Sequence, residues 1–166
     1  MKEYYQNFSN LNKWANNIVR ETMKDYTIEE LALETPYGSL QKLTLHITTA
    51  INHWLDFFDT TYNIIWKENE IDYTNWSEIL QLWEKTDERL GKVLASFESD
   101  EAFEEYFTYS HNKKDTYKMK YNEMFLHLVC HSYYHRGQLV MFFRQKGLKV
   151  SPPLDADDFF KIKIPG

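Results

Sequence analysis

Apolar residues recur in this chain at spacings of three and four, the period of an amphipathic helix, in four separate stretches. The first covers about Glu3 to Lys24 and aligns Tyr4, Phe8, Leu11, Ala15 and Ile18, with Trp14 alongside. The second covers about Leu40 to Thr60 and turns Leu43, Ile47, Ala50, Ile51, Trp54 and Phe58 inward, with Ser39 placed as its N-cap. The third starts near Trp76 and aligns Ile79, Leu80, Trp83, Leu90, Leu94 and Phe97; Asn75 followed by Glu78 has the spacing of a capping box. The fourth runs from about Asn122 to Lys146 and stops at Gly147, suited to a left-handed C-cap, before Ser151-Pro152-Pro153. Asp25 to Ser39, with Pro36 and Gly38, reads as a connection holding a short helical turn at Ile28–Leu33. Glu104 to Lys118 breaks the helical period. Tyr106, Phe107, Tyr109, Thr116 and Tyr117 are strand-formers around the polar tip His111-Asn112-Lys113-Lys114, which predicts a short β-hairpin between the third and fourth helices. Asp155 to Phe160 adds one last helical turn. The expected fold is all-α, a four-helix bundle in one domain over residues 1–166, with connections long enough for crossovers.

The fourth helix departs from this pattern in its middle. At about 100° per residue, Met124, Leu128, His131, His135, Gln138 and Phe142 fall within roughly 80° of one another. That stripe is apolar at its ends and imidazole and amide at its centre. A core accepts unsatisfied polar groups only at a cost of several kcal/mol or so. Two imidazoles one turn apart can chelate one ion, as in helical His-x-x-x-His zinc sites. A buried histidine can equally bond a carbonyl or a carboxylate and do nothing else. A third ligand could come from His46, His53 or His111. His111 sits in the polar tip, and periodicity places His46 only slightly nearer the apolar arc than His53.

Composition narrows the classes. A hydrophobic fraction of 43% argues against disorder, and five Gly and four Pro in 166 residues favour long regular elements. A net charge of -6 gives no electrostatic footprint for nucleic acid. No apolar run approaches the ~20 residues needed to span a bilayer, and the start lacks a signal-peptide apolar region. Cys130 cannot form an internal disulfide and, lying off the stripe, is expected as a buried or half-buried thiol. These features point to a soluble cytoplasmic protein with no nucleic-acid or membrane partner. Tyr62, Trp66, Tyr73 and Trp76 cluster near one connection, and large aromatics in excess of what one bundle core takes predict a homodimer.

Several segments together carry a resemblance. They are Leu11-Asn12-Lys13-Trp14-Ala15-Asn16; Leu45-His46-Ile47 with Trp54 eight residues after the histidine; the run from His127 through His131 to His135-Arg136-Gly137-Gln138; and Gly147 followed by Pro152-Pro153-Leu154-Asp155. In order and spacing the chain resembles the DinB/YfiT-like family of small metal-binding four-helix proteins. The resemblance implies one divalent metal, zinc, nickel, iron or cobalt, held by His46, His131 and His135. It leaves His127 beside the ligands, since family members vary there. Gln138 could bond a bound water or ligand, or serve as a buried amide. Arg136 is expected to pair with an acid such as Asp155, and Gly137 to permit close helix packing. Some members of the family transfer a low-molecular-weight thiol such as bacillithiol or mycothiol to an electrophile. The implied function is therefore a metal-dependent thiol S-transferase, with a metal-dependent hydrolase or a non-catalytic metal-binding protein as alternatives. His131-x-x-x-His135 lacks the glutamate that would follow the first histidine of a metalloprotease, and Asp56 and Glu123 are the acids that could otherwise act as a base. The resemblance, like the aromatic excess, points to a homodimer.

Overall fold

The computed structural model describes residues 1–24, 27, 29, 34–35, 38–58, 75–110, 114–150 and 154–161. Four long helices dominate: α1 (Lys2–Lys24), α2 (Leu40–Asp56), α3 (Trp76–Ser96) and α4 (Tyr121–Gln145), followed by a short α5 (Ala156–Phe160). Two small antiparallel ladders join them, β1 (Glu34–Thr35) with β2 (Gly38–Ser39), and β3 (Tyr106–Tyr109) with β4 (Tyr117–Lys120). The first ladder was not foreseen; Gly38 enters it at φ 96°, a left-handed value that glycine adopts at little cost. The second is the expected hairpin, with Tyr109 opposite Tyr117 and Tyr106 opposite Lys120. The expected turn at Ile28–Leu33 and the polar tip with His111 fall, in whole or large part, outside the described residues.

The helix ends follow local chemistry. Ser39 accepts a hydrogen bond from the Lys42 amide, and Asn75 from the Glu78 amide, at 3.3 Å each. At the end of α4, Leu148 N donates to the Phe143 carbonyl and Gly147 N to the Arg144 carbonyl, with Gly147 at φ 73°. That pair of bonds is the Schellman ending which a glycine after the last helical residue announces.

α1 and α2 each pack against both α3 and α4, so consecutive helices α1 and α2 lie diagonally across the bundle. The Met1 amine meets Asp100 beyond the end of α3, while Trp76 Nε1 donates to the Met23 carbonyl at the other end, so α1 and α3 are antiparallel. Asn52 bonds Thr86 and Arg89 bonds Asp56, so α2 and α3 run parallel. Trp54 meets His127 while His46 meets His135, so α2 and α4 are antiparallel. This arrangement places α2 and α4 side by side. Leu43, Ile47, Ile51 and Trp54 of α2 and all six expected apolar positions of the third helical stretch are buried.

The stripe expected on α1 is displaced. Tyr4 is 72% and Phe8 37% exposed, whereas Ser9, Asn12, Asn16 and Arg20 are buried beside Ala15, Ile18 and Val19. On α4 the buried residues are Met124, Phe125, Leu128, Ser132, His135, Arg136, Leu139 and Phe143, and His131, Gln138 and Phe142 flank them, half-buried. Trp76 belongs to the core rather than to an interface, since its ring is 9% exposed. Tyr62, Trp66 and Tyr73 lie outside the described residues. No helix among the described residues is long and apolar enough to cross a membrane.

Candidate metal centre

Residues one turn apart on α4 and one residue on the antiparallel α2 bring three imidazoles together. Ring centroids are 4.4 Å apart for His131 and His135, 4.7 Å for His46 and His135, and 5.0 Å for His46 and His131. One nitrogen from each lies within 4.8 Å of the other two. Nε2 of His131 and Nε2 of His46 are 3.2 Å apart. Two nitrogens at about 2.0–2.1 Å from one tetrahedral ion stand about 3.3 Å apart, so this spacing fits a shared cation. No Asp, Glu or Cys joins the cluster among the described residues.

The second nitrogens differ. His135 Nδ1 lies 2.7 Å from Gln138 Oε1. With the amide presenting its oxygen, Nδ1 carries the proton and Nε2 keeps its lone pair for the cluster. Gln138 thus orients a histidine. Nδ1 of His131 is buried without a hydrogen-bond partner. Burial, with His135, His46 and His127 adding repulsion, lowers the His131 pKa from 6.5 to about 4. The ring is therefore neutral at pH 7, the form that ligates a metal.

That shift has a consequence for the metal-free protein. The unfolded chain binds a proton at His131 below pH 6.5, and the folded chain only near about 4. Stability falls as the pH drops through that window. Urea denaturation of metal-free wild type and His131→Gln is expected to show the wild type losing more stability across it; parallel curves would remove this assignment.

The other sequence candidates fall as follows. His53 is exposed and packs its ring against Phe57 at 5.1 Å, apart from the cluster. His127 is exposed, with ring centroids 5.8 Å from His131 and 5.3 Å from Trp54. Asp56 accepts a bond from Arg89 Nη2 at 2.7 Å, and Glu123 accepts one from the Lys120 amide at 2.9 Å. Cys130 is exposed, contrary to expectation, because its position on α4 lies outside the helix contacts. A Cβ built on Gly137 would meet nothing within 4 Å, so close packing does not explain that glycine.

Arg136 does not pair with Asp155. Its Nη1 donates to Asn12 Oδ1 at 2.8 Å and to Asn16 Oδ1 at 2.6 Å. Asn16 Nδ2 donates to Asp87 Oδ1 at 2.8 Å, and Arg20 closes the chain on Asp87 Oδ2. Five buried polar side chains thereby link α1, α3 and α4 next to His135. Burial pushes the Asp87 carboxyl up to about 6 against the pull of Arg20 and Arg136, so it is ionised at pH 7. Sequence reasoning missed this network. Its one signal is the i, i+4 series Asn12, Asn16, Arg20, which shares a face with buried Val19 and Met23.

The family model described as DinB family matches residues 1–164, almost the whole chain. No curated protein matches the chain.

Proposed function

We propose that this chain, which belongs to the DinB family, is a divalent-metal-dependent transferase that adds a low-molecular-weight, bacillithiol-like thiol to small electrophiles. The observation that carries the reading is a cluster of three histidine nitrogens with no carboxylate beside it among the described residues. A hydrolase needs a base to activate water. The two acids open to that role are held by Arg89 and by the Lys120 amide. A thiol ionises far more readily than water and makes less demand on a base.

A divalent cation at the three nitrogens would supply the charge that lowers a thiol's pKa, with a position left open for exchange. The residues do the rest by position. Gln138 fixes the His135 ring, burial keeps His131 neutral, and His46 on the exposed side of α2 leaves the cluster open to solvent. In the reaction the sulfur–carbon bond forms as the electrophile's leaving group departs with its electron pair, and the thiol proton passes to solvent.

The test uses bromobimane as electrophile with bacillithiol, glutathione, coenzyme A and cysteine in turn. Consumption is expected to exceed the background only when protein, metal and thiol are all present. Turnover of an ester without thiol would replace this reading with the hydrolase, and turnover of neither would leave a metal-binding protein without catalysis.

A further inference from the structure

Aromatic rings continue outward from the histidine cluster along the seam of α2 and α4. His127 stands one turn before His131, with its ring centroid 5.8 Å from that of His131 and 5.3 Å from that of Trp54. Trp54 meets Tyr109 of β3 at 5.0 Å and Phe57 at 5.9 Å, and His53 lies edge-on to Phe57 at 5.1 Å. Three elements that are distant in sequence thus build one wall, which begins at the cluster and ends on the hairpin. None of the five side chains carries a carboxylate, an amine or a guanidinium. Trp54 is the buried centre, Phe57 and Tyr109 are half-buried, and His127 and His53 face solvent. A wall serving the core alone would bury its rim; this one leaves ring surface open one turn from the cluster. Ring surfaces favour flat, polarisable partners in stacked or edge-on contact.

We infer that this wall is the subsite for the body of the electrophile, and that it takes planar unsaturated or aromatic carbon in preference to saturated or charged groups. The inference rests on the proposed function, because it gives the substrate of that site its shape. His127 is the residue nearest the reacting end and touches the substrate's ring, backed by Trp54.

The test is a binding measurement on the cobalt-loaded full-length chain, titrated with acetohydroxamate and benzohydroxamate. The two present the same pair of oxygens and differ as methyl against phenyl. Visible cobalt bands report the contact. Benzohydroxamate is expected to bind about tenfold more tightly, a ratio within reach of one aromatic contact. His127→Ala should cut that preference by about threefold or more while leaving the acetohydroxamate affinity in place, because that affinity is set at the cation. Equal affinities in the wild type, or a preference that survives the substitution, would overturn the subsite. Cobalt bands that respond to neither ligand would instead remove the open metal position, and the proposed function with it, and the subsite would fall as its dependent.

Discussion

Chelation is expected to lower the melting temperature of this protein by roughly 5–10 °C, and re-addition of zinc, nickel or cobalt to restore it. A ligand that binds only the folded state at about 100 times its dissociation constant contributes about 2.7 kcal/mol. In a domain of this size each kcal/mol moves the midpoint by about 2–4 °C. The increment should be absent in His131→Ala and His135→Ala, which remove the α4 pair, and in His46→Ala, which removes the only α2 nitrogen in the cluster. His127→Ala should keep one metal per chain, since its ring stands 5.8 Å from His131 and outside the converging set. Metal analysis beside calorimetry separates the cases. Equal loss from His127→Ala and His135→Ala would show that the ligand set has been misassigned.

The sequence made one side of this centre legible and left the other dark. His131 and His135 stand out because imidazole replaces leucine at a helical spacing that the rest of α4 keeps. His46 was set apart from His53 only weakly by periodicity and mainly by resemblance, since both lie on one flank of α2, and α4 packs so that His46 is the one beside His131 and His135. The same stripe argument found Met124, Leu128 and His135, which are buried, but missed the line beside them. It took Phe142 and Gln138 as inward, and they are half-buried while Phe143, Leu139 and Arg136 are buried. The error has the cause that displaced the α1 stripe. Hydrophobic periodicity assumes that buried means apolar, and the seam of α1, α3 and α4 is filled by Asn12, Asn16, Arg20, Asp87 and Arg136. Where polar groups satisfy one another across three helices, the period survives but the residue type inverts, and aromatic residues such as Tyr4 and Phe8 are turned outward. The hairpin was legible from its strand-formers. That it supplies Tyr109 to the rings beside the histidines depends on tertiary packing, which no local pattern carries.

Asp87→Ala should destabilise the protein by about 3–5 kcal/mol, the cost of breaking a buried ion pair from one side. Asp87 and Arg20 are about as buried as residues become, with side chains 1% and 4% exposed. Removing the carboxylate leaves the Arg20 guanidinium without its anion and takes an acceptor from Asn16, whose oxygen is already committed to Arg136. Such a pair is weak support for net stability, because burying both charges costs nearly what their attraction returns. Removing both partners should therefore be cheaper than removing one, and Arg20→Met with Asp87→Leu should lose less than Asp87→Ala alone. Urea denaturation at pH 7 with unchanged m-values reads both. A single-variant loss under about 1 kcal/mol would mean that water reaches the pair and that the network is not a buried one. The same variants bear on the metal. Arg136 adjoins His135 in sequence and is anchored on α1 through Asn12 and Asn16, so the network sets the rotation of α4 about its axis. If that rotation aims His131 and His135 at His46, Asp87→Ala should weaken metal affinity although it touches no ligand. Chelator competition on the folded variant, below its unfolding midpoint, is the measurement. An unchanged affinity in a destabilised protein would confine the network to holding the helices together.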